Sequence, residues 1–168
     1  ARDMSIAAAT LLLQLQSIVS RTVNPMKPAV LTIGKFTSGT VQNIISGHAR
    51  LEGTIRTMDA TTMALIKEKI EAFCHATEIA FECEVKIDYG SSYYQVYNNH
   101  DITNDFLAFA EQHQATNAIH CDAAMTGEDF GYFLKDIPGM LFWAGVDSPF
   151  GLHHAKMNPS EELLDYLI

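Results

Sequence analysis

Residues 125–159 read MTGEDFGYFLKDIPGMLFWAGVDSPFGLHHAKMNP, and this stretch organises the second half of the chain. Its pattern predicts a loop, a helix over 128–134, a buried strand over 139–146 and a second loop. The strand is expected because a nearly continuous apolar run, entered through a proline and a glycine, is typical of a strand covered on both faces in an α/β layer. Loops that leave such strands are where sites are usually built.

Two adjacent histidines, His153 and His154, lie in the loop that follows this predicted strand. Neutral imidazole is the commonest protein ligand for transition metals. Because neighbours on an extended chain point in opposite directions, we expect one of the pair to face a site and the other to pack or to form a hydrogen bond. The alternative is a packed or solvated pair without a metal, since a metal site needs three or more ligands.

An acidic pair, Glu128 and Asp129, opens the predicted helix of the same stretch. One interpretation is structural, because carboxylates in a first turn are favoured by the helix dipole. The other is functional, since a glutamate fixed at that point could hold an imidazole ligand in its proper tautomer. The residues alone leave both interpretations open.

The composition describes an ordinary globular protein that acts on neither nucleic acid nor membranes. Of the 168 residues 48% are hydrophobic and 18% are charged, and the chain is long enough to bury a core. The formal net charge of −9 argues against nucleic acid, and the apolar run over 6–15 is too short to span a bilayer. Cys74, Cys83 and Cys121 share no metal-ligand spacing, which predicts buried thiols in a reduced, cytoplasmic protein.

The first half of the chain predicts an open sheet covered by helices on one side. Asp3 and Asp59 are the expected N-caps of two helices. The apolar face of the first helix is expected to include Ile6, Leu13 and Leu15. Strands are predicted over 29–33, within 43–57 and over 81–89. Clean alternation of apolar and polar residues in the last two strands implies that one face of the sheet meets water.

These elements predict two domains, the first of which lacks a strand. Helix, two strands, helix and strand form a split βαβ unit, ferredoxin-like, without its first strand. From residue 93 the pattern changes to a helix over 103–114, a short strand over 118–121, the stretch described above and a last helix from residue 160, which suggests part of an α/β domain. The missing strand and the lack of a starting methionine lead us to expect a piece of a longer polypeptide.

Asn43 and Arg56 are candidate substrate-binding residues at the two ends of the predicted strand within 43–57. A guanidinium suits a carboxylate because its fork donates two charge-assisted hydrogen bonds, each worth about 1.5–3 kcal/mol. The alternatives are that Arg56 pairs with Glu52 or another acidic neighbour on the sheet, and that Asn43 only forms a turn.

Four motifs resemble, in the same order, the zinc-type aminoacylase/carboxypeptidase amidohydrolases, and the resemblance covers essentially the whole chain. The motifs are GTVQNII over 39–45, RLEGTIRT over 50–57, MTGEDF over 125–130 and GLHHAK over 151–156. The resemblance implies an α+β and α/β fold in which residues 1–92 are a ferredoxin-like lid, which also forms the dimer. Residues 93–168 would be the C-terminal portion of a catalytic domain.

The resemblance also implies roles for particular residues. His153 would be a metal ligand, with His154 as the second choice, and Glu128 would line the metal pocket. Asn43 and Arg56 would reach from the lid to hold the substrate's carboxylate. The intact enzyme would use two divalent ions, zinc, manganese or cobalt, while this chain alone is expected to bind none, because the other ligands and the glutamate base belong to sequence outside it.

The implied activity is metal-assisted removal of an acyl group from a small N-acyl amino acid, as in a lysine-biosynthesis subgroup of the family. A homodimer formed through the lid and a cytoplasmic location are implied with it, and the chain by itself is expected to be inactive. Two other hypotheses remain open: a non-catalytic dimerisation or small-molecule-binding module, and a catalytically inactive paralogue.

Overall fold

A computed structural model describes residues 2–113 and 118–163, and the chain divides into two units, residues 1–95 and 96–168. The elements of the first unit are α1 (Met4–Arg21), β1 (Ala29–Ser38), β2 (Ala49–Thr57) and α2 (Ala60–Phe81). Those of the second unit are α3 (His100–His113), α4 (Gly131–Leu134) and a short 3-10 helix (Glu161–Leu163). Among the described residues, no helix has the length and apolar character needed to cross a membrane.

Helix α1 begins where the sequence predicts but buries a different face. The carboxylate of Asp3 accepts the backbone N–H of Ser5 at 2.9 Å, as expected for an N-cap. The predicted face is wrong for Ile6 and Leu13, which are 56% and 71% exposed. The helix is apolar on nearly all sides, so its periodicity does not decide which face meets the sheet. The buried residues are Ala7, Leu11, Leu15 and Ile18.

Strands β1 and β2 form an antiparallel hairpin whose pairing shifts once. The register runs from Ala29 opposite Thr57 to Ser38 opposite Ala49, with an irregularity between Ile33 and Lys35. Both strands differ from their predicted ranges, because β1 continues to residue 38 and β2 begins only at residue 49. The residues between the strands, 39–48, form the loop that carries Asn43 and are called the Asn43 loop below.

The two long helices cover one face of this hairpin. Leu51 and Ile55 of β2 pack against a core in which Ile18 and Ile66 are fully buried. Arg50 and Arg56 alternate with them and are exposed, so the predicted half-buried strand is confirmed. The buried cluster comprises Leu11, Leu15, Ile18, Val23, Ile66, Ile70 and Cys74.

Helix α2 has the predicted cap and a later end than the sequence suggests. Asp59 accepts the N–H of Thr62 at 2.8 Å, and the helix ends at Phe81, followed by Glu82 with a positive φ of 50°. The predicted strand over 81–89 is therefore wrong: these described residues are assigned no strand. One reason is that the side chain of Glu78 takes the N–H of Val85 at 2.9 Å, where a strand would need a neighbouring backbone carbonyl.

The described residues of the second unit contain a helical segment near each predicted helix, but none of the predicted strands. Helix α3 begins at His100, slightly before its predicted start at residue 103, and its predicted last residue, 114, lies outside the described residues. Neither 118–121 nor 139–146, both described, is assigned to a strand. Phe142 and Trp143 are 52% and 53% exposed, so the expectation of a strand covered on both faces is wrong here.

The side chain of Asn98 and the backbone of Asn99 replace a strand partner for the apolar segment 139–146. The amide of Asn98 donates to the carbonyl of Leu141 at 2.8 Å and accepts its N–H at 2.9 Å. The N–H of Asn99 donates to the carbonyl of Gly139 at 2.8 Å. These bonds satisfy backbone groups as a neighbouring strand would, because a strand can form only where another extended segment faces it.

Two further expectations are corrected in part. The helix predicted over 128–134 begins only at Gly131. The helix predicted from residue 160 is a 3-10 turn over Glu161–Leu163, and the rest of that prediction lies outside the described residues.

The three cysteines are all free but were predicted to be buried: Cys74 is buried and Cys83 half-buried, whereas Cys121 is exposed. Burial raises the pKa of the Cys74 thiol.

Candidate functional site

Arg56 lies on the exposed face of the hairpin, in a row of charged side chains. It stands opposite Val30 near the end of β2. On the same face Glu52 accepts from Lys35 at 2.8 Å and from Arg50 at 3.3 Å. The hydrogen bond from Lys35 is the main cause that lowers the pKa of Glu52. The face therefore carries more positive than negative groups in a chain whose formal net charge is −9, which suits an anionic ligand.

Asn43 is exposed in its loop at the opposite end of the same hairpin. The loop rejoins the sheet at Ala49, and Arg56 lies seven residues further along β2. Since a strand rises by about 3.3 Å per residue, roughly 23 Å separates the base of the loop from Arg56. Residues 40–42 line a shallow cleft together with Ser5 and Ser38, so the loop stays at its own end of the sheet. Within one copy, the structure does not bring Asn43 and Arg56 together.

The base of the Asn43 loop is closed by hydroxyl groups that the sequence analysis did not single out. Ser38 and Ser46 lie at its two ends and are joined by a hydrogen bond of 2.9 Å. Ser46 is only 6% exposed, and its hydroxyl donates to the carbonyl of His48 at 2.6 Å. The sequence does contain a signal for these hydroxyl groups, because serines stand at both ends of a polar stretch between two strands.

Glu128 and Asp129 lie before helix α4, not in its first turn. Both side chains are exposed. The carbonyl of Asp129 accepts the N–H of Tyr132 at 3.0 Å, while that of Glu128 accepts the N–H of Gly131 at 3.4 Å. The helix has only four residues, so a favourable interaction of the two carboxylates with a helix dipole is a weak explanation for them.

His153 and His154 have different environments in two successive turns. The N–H of His154 donates to the carbonyl of Gly151 at 3.2 Å, and the N–H of Met157 donates to that of His154 at 2.9 Å. His153, inside the first turn, has a φ of +66°. A non-glycine residue in the left-handed region is uncommon, and such residues cluster at functional sites.

The ring of His154 is held by its neighbours in this turn. It stacks on Phe150 with 4.5 Å between ring centroids and 9° between the planes. Its Nδ1 accepts the backbone N–H of Lys156 at 3.1 Å. A neutral imidazole that accepts at Nδ1 carries its proton on Nε2, so neither nitrogen has a free lone pair for a metal.

The chain alone does not offer a complete metal centre among its described residues. Within 2–113 and 118–163 no group of three or more histidine, cysteine, aspartate or glutamate side chains is placed to hold an ion. His153 is chemically suited to be one ligand. A dinuclear centre would need further ligands from elsewhere.

Comparison with known proteins identifies the family of this chain. The chain is 57% identical over 167 residues to an N-acetyldiaminopimelate deacetylase of Anoxybacillus flavithermus and 58% identical over 168 residues to one of Geobacillus thermodenitrificans. These alignments cover 99% and 100% of the chain but 44% and 45% of the relatives. The chain thus spans less than half the length of the curated relatives it matches.

Solved structures show the same fold. A proposed aminohydrolase from methicillin-resistant Staphylococcus aureus superposes with a TM-score of 0.81 at 27% identity, over 99% of this chain and 44% of that one. A Bacillus subtilis dinuclear metal-binding peptidase gives 0.71 at 23% identity, over 95% of this chain and 44% of that one. The sequence profile of peptidase family M20/M25/M40 matches residues 10–167. The chain therefore belongs to peptidase family M20/M25/M40.

Proposed function

We propose that this chain is part of a metal-dependent amidohydrolase that removes the acetyl group from N-acetyldiaminopimelate in cytoplasmic lysine biosynthesis. The observation that carries the proposal is the identity of 57–58% to deacetylases of that name, sustained along 99–100% of the chain. The activity is proposed for a polypeptide of the relatives' full length, called the complete enzyme below. The chain alone is expected to be inactive.

The proposed division of labour follows the two units. Residues 1–92 act as most of a ferredoxin-like lid, and residues 93–168 as the C-terminal portion of the catalytic domain. In support, the first unit consists of a hairpin with both long helices on one face, and its other face is open. An open, positively charged sheet face is available for a small anionic substrate.

Arg56 is proposed to bind the carboxylate of the substrate. Asn43, for which the resemblance implies the same role, is proposed to hold the acyl end instead, because its loop lies at the opposite end of the hairpin. Arg56 sits on rigid β-sheet among other basic side chains, which lowers the cost of bringing an anion to that face. Asn43 offers an amide donor from a loop that is closed at its base. A donor aimed at a carbonyl oxygen can stabilise the oxyanion that forms during amide hydrolysis.

His153 is proposed as a metal ligand in preference to His154. The support is that the Nδ1 of His154 is occupied by the N–H of Lys156, while His153 has the uncommon left-handed backbone. When bound, two divalent ions such as zinc, manganese or cobalt supply a bound water of lowered pKa and polarise the acyl carbonyl. Glu128, exposed at the start of the same stretch, is the proposed pocket-lining carboxylate.

A homodimer is part of the proposal because of the length of the hairpin. The separation of roughly 23 Å exceeds the combined reach of an arginine and an asparagine side chain. If both residues act on one substrate molecule, Arg56 comes from one copy and Asn43 from a second copy.

Mixing the complete enzyme carrying Arg56→Ala with that carrying Asn43→Ala would then rebuild one intact site in each mixed dimer and restore about a quarter of the activity. If no activity is recovered after subunit exchange, Arg56 and Asn43 of different copies do not share a site.

The function itself is tested by the kinetics of these variants in the complete enzyme. Arg56→Ala is expected to raise KM and Asn43→Ala to lower kcat, while Arg21→Ala, an exposed arginine at the end of α1, leaves both unchanged. The second candidate is a non-catalytic dimerisation or small-molecule-binding module. It is favoured by the lack of a metal-binding cluster among the described residues, and unaltered kinetics in both variants would support it.

The chain alone provides a complementary test. The purified 168-residue chain should neither deacetylate an N-acetyl amino acid nor retain zinc against a chelator, since His153 by itself is a single ligand. Measurable deacetylation by this chain would contradict the proposed division of the active site.

A further inference from the structure

Three serine hydroxyls form a directed chain of hydrogen bonds beneath the Asn43 loop. Ser46 donates to the carbonyl of His48 at 2.6 Å, and Ser38 donates to Ser46 at 2.9 Å. The hydroxyls of Ser5 and Ser38 lie 2.9 Å apart. Because each hydroxyl has one proton and that of Ser38 is directed to Ser46 and, at 3.2 Å, to the carbonyl of His48, we take Ser5 as the donor of this last bond. The chain therefore runs from helix α1 through the end of β1 to the start of β2.

Ser46 is the central member of this chain, and its hydrogen-bonding capacity is filled. Its hydroxyl accepts from Ser38 and from the N–H of His48, the latter at 3.3 Å, and donates once. Its carbonyl accepts the N–H of Met4 at 3.0 Å, one of the first-turn donors that α1 cannot satisfy internally. With 6% exposure, Ser46 offers little surface to water that could replace these partners.

The tip of the loop is built differently from its base. Val41, Ile44 and Ile45 are 51%, 66% and 56% exposed, and Asn43 lies among them. The hydrogen bonds that tie the loop to the rest of the first unit lie on Ser38, Ser46 and His48. The position of Asn43 is therefore set by how firmly the base of the loop is closed.

We propose that Ser46, supported by Ser38, is a positioning residue that fixes Asn43 for its contact with substrate. This inference rests on the proposed function, in which Asn43 acts on the acyl end. Without the Ser46 hydroxyl, the N–H of His48 loses this partner and the carbonyl of His48 keeps only the longer bond from Ser38 at 3.2 Å, so the base of the loop is closed less firmly. A small displacement of a catalytic contact costs far more in rate than in stability.

The test is a double-mutant cycle in the complete enzyme. Ser46→Ala is expected to lower kcat by roughly ten- to a hundredfold with little change in KM, as Asn43→Ala does. Combining Ser46→Ala with Asn43→Ala should add no further loss, because the first acts through the second. The matched control is Ser20→Ala, whose hydroxyl bonds only to carbonyls of its own helix, at 3.3 and 3.4 Å, and which should retain normal kinetics.

A second pair of variants keeps the inference falsifiable if Ser46→Ala folds poorly. Ser38→Ala should reproduce the fall in kcat, and Ser38→Thr, which keeps the hydroxyl on a strand, should restore it. Amide exchange over 40–47 should accelerate in Ser38→Ala and not in Ser20→Ala. Additive losses in the cycle, or normal kcat in both alanine variants, would overturn the positioning role. If Asn43→Ala itself leaves kcat unchanged, the assignment of Asn43 fails first, which separates the two failures.

Discussion

A Cβ added to Gly53, where the hairpin shifts register, would meet the backbone of the facing strand, which makes Gly53→Ala a sharp test of the fold. Gly53 stands opposite Ile33, next to the irregularity in β1. A Cβ on Gly53 would lie 2.1 Å from the carbonyl oxygen of Thr32 and 2.9 Å from the Cδ1 of Ile33. The isoleucine tip can rotate away, but the carbonyl belongs to the backbone and must retreat by roughly 1 Å to reach a normal contact.

The expected cost follows from which atom has to move. Overpacking that forces a backbone shift costs about 1–3 kcal/mol. Glycine to alanine at an unstrained position has the opposite sign and stabilises by about 0.4–1 kcal/mol through the unfolded state. The net loss of unfolding free energy for Gly53→Ala should thus be about 1 kcal/mol, within a range of roughly 0–2.6 kcal/mol. The matched control is Gly34→Ala, on the facing strand, where an added Cβ meets nothing within 4 Å.

Urea unfolding followed by circular dichroism measures the difference between the two variants. Gly53→Ala should move the midpoint to lower urea, and Gly34→Ala should leave it unchanged or raise it slightly. Equal midpoints for the two variants would mean that the strands do not approach so closely at Gly53, and the register around the irregularity would have to be revised.

Three other predictions concern side chains that the structure holds in particular states. The Nδ1 of His154, the neighbour of the proposed metal ligand His153, fixes this turn by accepting the N–H of Lys156. In the complete enzyme, His154→Gln should therefore weaken metal binding roughly 10- to 100-fold in chelator competition, whereas His154→Asn, whose side-chain oxygen can replace Nδ1, should not; an equal loss in both variants would show that this hydrogen bond does not position the ligand. Hydrogen bonds from Thr61 and Thr62 hold the pKa of Asp59 well below its usual range. The contribution of Asp59 to stability is therefore present above about pH 4 and is lost as pH falls through the folded pKa. In acid unfolding curves, the Asp59→Asn variant should not show this part of the loss of stability. Burial raises the pKa of Tyr89 to about 12, so the free energy of unfolding should fall as pH rises from about 10 towards 12. If the phenolate absorbance of all the tyrosines rises near pH 10, with no component towards pH 12, this prediction is wrong.

Caps and alternation were predictable from the sequence because they depend on near neighbours. Asp3 and Asp59 cap their helices through N–H groups two and three residues away, and the exposed face of β2 follows directly from its period of two. The buried face of α1 was not predictable, since a helix with Ile6 and Leu13 outside and Leu15 inside is apolar all round.

The predicted strand over 139–146 was wrong for a different physical reason. Strand formation depends on a partner segment, and in the described chain the backbone of Leu141 is satisfied by the Asn98 side chain instead. The candidate residues at Asn43, Arg56 and His153 were found from chemistry and resemblance. Ser46, at the base of the Asn43 loop, and Phe150, which stacks on His154, were missed, because which side chain meets a hydroxyl or a ring is decided by the folded backbone and not by spacing.

Much of the local geometry of both candidate regions is set by contacts that are short in sequence. Ser38 and Ser46, at the base of the Asn43 loop, are eight residues apart, and the atoms that hold the His154 ring lie two residues away in Lys156 and four in Phe150. Closing such short loops costs little entropy compared with bringing distant segments together. Each region can therefore adopt its shape within its own unit before any ligand binds. Because these local turns are already formed, less conformational entropy is lost when a ligand binds to them.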